Sequence, residues 1–191
     1  MKLNLFSDLK DACVDLIKIL PCLNDAQRKD IRDILLQLKG DLSDSLVLAE
    51  QYLNGVLRST RDTDILQQMC DAPERLRQAY NEFKICAALY HLHDRFNQWF
   101  SSVKGAVDVK HVGAIRSLIG RVADGERFVM NELQDVLRKL PVFAQQYESG
   151  NATERAAVIQ NAHRYIKDAL ATLRRAETDT KKAINAVIAL M

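Results

Sequence analysis

The chain has 191 residues, 48% hydrophobic and 27% charged, with a formal net charge of +2. That length suits one core and one domain, 1–191, and so small a net charge gives no electrostatic argument for a nucleic-acid partner. Only seven glycines and three prolines leave few places to turn, so the elements are long, and no stretch of ~18 apolar residues is present to cross a membrane.

Residues 3–20 carry Phe6, Leu9, Cys13, Leu16, Ile17 and Leu20 on one side of a helix, which Pro21 ends. Asp8, Asp11 and Asp15 interrupt this apolar run and no small-residue cleavage site follows, so it is not a signal peptide. "NDAQ" (24–27) is a capping box, with Asn24 as the cap and Gln27 reaching back. It opens a second helix over 25–58. The stripe Ile31, Leu35, Leu38, Leu42, Ser45, Ala49, Tyr52, Val56 repeats at alternating steps of three and four, as in the seam of a bundle helix.

Residues 59–70 read as a polar connection with room for one helical turn at Ile65 and Leu66. "DAPE" (71–74) then signals a third helix over 72–104, with Asp71 as cap and Pro73 in the first turn. Its apolar surface changes sides, from Leu76, Phe83, Cys86 and Tyr90 to Leu89, Leu92, Phe96 and Trp99. A helix that is apolar all round is buried all round, so the N-terminal helix is expected to pack on its second face; a kink in the third helix is the competing explanation. The fourth helix spans 109–140 with the stripe Val112, Ile115, Ile119, Val122, Glu126, Val129, Leu133, Val136, Leu140, and Pro141 ends it. After the loop "ESGN" (148–151) the fifth helix fills 152–190, with Ile159, His163, Ile166, Leu170, Leu173, Glu177, Thr180, Ile184 and Val187 in its seam. Short loops imply antiparallel neighbours, and helices of this length reach roughly 50 Å. The expected fold is all-α: an elongated up-down antiparallel four-helix bundle with an additional short N-terminal helix.

Three constellations bear on chemistry. His91, His93 and Asp94 look like metal ligands, but residues two apart on a helix project about 200° from each other. His91 and His93 therefore cannot close on one ion, and zinc or di-iron sites need three or four convergent ligands. No metal or cofactor is expected.

Ser45, Glu126 and His163 are polar residues at seam positions, together with Glu177 and Thr180. Alignment about the loops puts Ser45, Glu126 and His163 at one height, as a buried polar layer that sets helix register, with an acid–base pair of Glu126 and His163 as the alternative. The stretch around His163, "AHRYIKDA", departs from a histidine phosphotransfer helix: Lys167 stands four residues on, no glycine follows, and His163 lies on the seam. No nucleotide-binding glycine loop or nucleophile motif appears, so no catalytic residue is assigned and the chain is read as non-enzymatic.

The third constellation is charge. The last helix carries seven cations against four carboxylates, and Arg164, Lys167, Arg174, Arg175, Lys181 and Lys182 lie broadly opposite its seam. They form a basic strip suited to an acidic partner or an anionic surface. Aromatic residues for stacking on bases are scarce there, which disfavours nucleic acid.

The four cysteines (Cys13, Cys22, Cys70, Cys86) have no C-x-x-C pairing and read as reduced thiols of a cytoplasmic protein. The terminal "AINAVIALM" lacks a stop signal, so this helix either docks fully or continues into another module. The expected function is a helical-bundle protein–protein interaction or regulatory module with a protein partner. The alternatives are a membrane-acting bundle, lipid-binding or permeabilising, and the N-terminal module of a larger signalling protein. Charge balance in the first helix (Lys2, Lys10, Lys18 against Asp8, Asp11, Asp15) argues against spontaneous binding to an anionic membrane.

Overall fold

The computed structural model describes residues 4–82, 94–95, 97–103, 105 and 134–191. These residues are mostly helical and include no strand. The expected helix 109–140 is therefore seen only from 134 onward. Tyr90, His91 and His93 in the third helix, and Glu126, lie outside the described residues, as does the side chain of Ser45.

Helix α1 (Asn4–Ile19) buries Phe6, Leu9, Cys13, Leu16 and Ile19, and a 3-10 turn at Leu20–Cys22 built on Pro21 ends it. α2 (Asp25–Arg58) starts at the capping box that the sequence implies: Asn24 Oδ1 accepts from the Gln27 amide at 2.9 Å, and Gln27 Oε1 accepts from the Asn24 amide at 3.1 Å. Its buried side includes the expected Ile31, Leu35, Leu38, Leu42, Ala49 and Val56, and also Ile34, Leu46 and Leu53. The apolar face is thus wider than a coiled-coil seam, because α2 packs on two helices, α3 (Asp62–Glu82) and α5 (Ala152–Ala189).

Two proline readings are corrected. The third helix does not begin at 72. α3 begins at Asp62 and passes through Pro73. Pro73 removes one intrahelical hydrogen bond, yet Ile65, Met69 and Ala72 lie on one face, all 3% exposed or less, and pack in the core. That burial outweighs the local breaker. Gln68 ties the α2–α3 corner. Its Nε2 donates to Ser59 Oγ at 2.9 Å, and it lies close over Gly55, where an added Cβ would stand 2.8 Å from its Oε1.

Pro141, expected to stop a helix, instead sits in the first turn of one, α4 (Lys139–Ser149). First-turn amides need no intrahelical acceptor, so proline fits there. The helical turn at 134–137 leads into it, with the Arg138 amide bonded to Gln134 O at 2.7 Å.

The register follows from cross-helix pairs. On α2 and α5, Glu50 meets Arg174, and eleven residues earlier on α2 Lys39 meets Asn185, eleven residues later on α5. These two helices run antiparallel. Along the other side of α2, Tyr52 Oη donates to Arg75 O, Arg95 to Gln37, and Trp99 Nε1 to Gln27 O at 2.9 Å. α3 and the helical segment 97–103 thus follow one antiparallel track along α2. α4 lies against α3 and α5, and α1 lies along α5, where Thr180 Oγ1 donates to Phe6 O. The third-helix turns on which α1 was expected to pack, around Ile85 and Leu89, fall outside the described residues. The buried side chains of all these elements form one contiguous cluster.

Candidate functional site

α5 carries most of the candidate residues. Its start is set locally: Asn151 Oδ1 accepts from the amides of Thr153 and Glu154, both at 3.1 Å, and Glu154 Oε2 accepts from the Asn151 amide at 2.7 Å. From there 38 residues run without a break. Ala162, Ile166, Ala169, Leu170, Leu173, Thr180, Ile184 and Val187 face the core.

The six residues of the basic strip divide. Arg174 turns toward α2, where its Nε and one terminal nitrogen donate to the Glu50 carboxylate at 2.8 and 3.2 Å. Hydrogen bonding to Glu50 and its charge raise the Arg174 pKa further above its usual value. Lys181 bonds Glu177, one turn back on α5. These two cations serve the fold. Arg164, Lys167, Arg175 and Lys182 are exposed and make no ion pair among the described residues. Successive helical positions turn by about 100°, which puts Arg164, Arg175 and Lys182 on the side opposite Ile166 and Leu173 and Lys167 on the flank. Asp168 and Asp179, also exposed, lie beside them and dilute the positive field.

Ser45 and His163 are not brought to one level, and Glu126 lies outside the described residues. Ser45 lies midway between Lys39 and Glu50, opposite about residue 179 of α5 in the register above. His163 lies about sixteen residues from that level, roughly 24 Å along the axis, opposite the α2–α3 corner. The pairs Tyr52–Arg75 and Arg95–Gln37 keep Ser45 near its expected level on the third helix; the shift comes from α4, which is helical to Ser149 where a helix end at 140 was expected, and this moves the facing level along α5. His163 is half-buried. Its Nε2 is enclosed and has no hydrogen-bond partner among the described residues.

One polar cluster escaped the sequence. Tyr147 Oη donates to Asp62 Oδ2 at 2.5 Å, and the Arg155 guanidinium lies 5.3 Å from the centre of the Tyr147 ring while donating to Tyr147 O at 3.1 Å. The bond to Asp62 raises the Tyr147 pKa. Ala152, Ala156 and Ile159 complete an open groove of about 480 Å³ beside this cluster. Asp62 and Tyr147 are 85 residues apart, and no local pattern announces such a pair.

Among the described residues no three histidine, cysteine, aspartate or glutamate side chains converge as metal ligands, and no helix is long and apolar enough to cross a membrane. Asp94 is exposed. No family model matches the chain, and comparison with curated proteins and with solved structures also returns no match.

Proposed function

We propose that the chain is a single domain, an elongated up-down four-helix bundle with α1 packed alongside. It works as a non-enzymatic interaction or regulatory module in the cytoplasm. Its protein partner presents an acidic surface to the outer face of α5. The observation that carries this reading is the division of the basic strip. Arg174 and Lys181 are engaged by Glu50 and Glu177, whereas Arg164, Lys167, Arg175 and Lys182 stay in solvent without a carboxylate partner among the described residues. Charges arranged this way on a straight helix steer an oppositely charged partner and set its register.

The membrane alternative calls on the apolar side of α1. That side, Leu9, Cys13 and Leu16, is buried against the rest of the protein at 3% exposure or less, which favours the protein partner.

The test measures binding of a fluorescent polyglutamate peptide at low and moderate salt. Wild type binds and is weakened by salt. The variant Arg164→Gln, Lys167→Gln, Arg175→Gln, Lys182→Gln binds roughly ten-fold or more weakly with an unchanged circular dichroism spectrum. Equal binding by the two proteins overturns the assignment. Co-sedimentation of wild type with phosphatidylserine vesicles, without peptide binding, replaces it with the membrane reading.

A further inference from the structure

α2 has a second face that carries exposed apolar side chains. Leu36 and Val47 are 46% and 50% exposed, although both are large and apolar. Between them on the same side of the helix lie Gly40 and Ser43. An added Cβ at Gly40 meets nothing within 4 Å, and the Ser43 hydroxyl is turned back onto Lys39 O at 2.9 Å. The order Leu36, Gly40, Ser43, Val47 is a four-three-four spacing with bulk at the ends and a shallow saddle in the middle. A saddle of small residues lets a second helix approach closely, as helix packing requires.

The same face continues outward into polar and charged residues: Asp25, Lys29 and Arg32 toward one end, Asn54 and Arg58 toward the other. The sequence of this strip is complementary to its own reverse. The midpoint of α2 falls between Asp41 and Leu42. An antiparallel copy centred there sets Leu36 against Val47 of the second copy and Gly40 against its Ser43. It also sets Asp25 against the second copy's Arg58 and Lys29 against its Asn54. An isologous two-fold interface has this property, that each contact occurs twice with the roles exchanged.

We infer that this face of α2 is a homodimer interface, in which α2 of a second copy packs antiparallel across Gly40 and Ser43. The occupant is a second copy because apolar bulk, small residues and opposite charges all match under one two-fold axis at the helix midpoint. One pair of helices covers a small area, so the dimer belongs to the weak class of interfaces burying less than about 1,200 Å² in total. This face is distinct from the basic face of α5, and neither assignment rests on the other.

Sedimentation velocity over a concentration series tests the inference. The wild-type chain is expected to pass from monomer to dimer as concentration rises, and added salt weakens the association through the Asp25–Arg58 contacts. Gly40→Arg adds bulk and charge where the monomer has open space, so it folds normally and self-associates roughly ten-fold or more weakly. Val47→Glu is a second disruption that leaves the core untouched. The α5 variant that loses its four exposed cations dimerises like wild type. A wild-type chain that remains monomeric at its highest soluble concentration overturns the inference, and so does a dimer that persists in Gly40→Arg.

Discussion

Arg174 on α5 holds Glu50 on α2 through two hydrogen bonds, across 124 residues of sequence. Together with Lys39 and Asn185 this contact sets the antiparallel register of the two longest helices. Arg174 is 57% exposed in its side chain and Glu50 25%, so water screens much of the attraction. A double-mutant cycle with Arg174→Ala and Glu50→Ala is expected to give a coupling of about 0.5 kcal/mol, within the range of exposed pairs, and high salt should reduce it. A coupling of several kcal/mol would mean that the pair is far better shielded than its exposure indicates.

Burial pushes the Cys13 thiol from 9.0 up to about 11. The folded-state pKa lies above the unfolded one, so this contribution to stability is full below pH 9 and declines as the pH rises toward 11. The loss amounts to about 2–3 kcal/mol. Urea midpoints taken from pH 8 to pH 11 should fall more steeply for wild type than for Cys13→Val, and parallel curves would refute the assignment. Native alkylation at pH 8, read by mass spectrometry, should label exposed Cys22 and Cys70 and spare Cys13. Burial, followed by the nearby Glu148 and Asp71 carboxylates, raises the Cys70 thiol as well.

His163 places an enclosed Nε2 beside the core with no hydrogen-bond partner among the described residues. Leaving a buried polar atom unpaired costs roughly 1–3 kcal/mol. His163→Leu is therefore expected to hold or raise the denaturation midpoint, by about 1 kcal/mol in stability. A loss of that size would instead identify the imidazole as part of a structural polar layer.

Local chemistry was legible wherever its cause was local. Asn24 and Gln27 mark the start of α2 because a cap and its reciprocal partner are three residues apart. The buried seam of α5 follows from the 3.6-residue period and needs no knowledge of what covers it. The prolines misled for the opposite reason. Pro73 and Pro141 are read from the chain as a start and a stop. Whether a proline begins, ends or merely perturbs a helix depends on the packing around it, here Ile65, Met69 and Ala72 in the core.

The candidate site divides along the same line. That Arg164, Arg175 and Lys182 lie opposite the seam, with Lys167 on its flank, could be derived from helical geometry alone. That Arg174 is held by Glu50, that Ser45 and His163 stand at different levels, and that Tyr147 meets Asp62 could not. A helix face is set by interactions among residues three and four apart, which any reader of the chain can count. The register of α2 against α5 and the Arg174–Glu50 pair are set by contacts between residues 124 and 146 positions apart. Those contacts exist only after the apolar faces of α2, α3 and α5 have chosen one another.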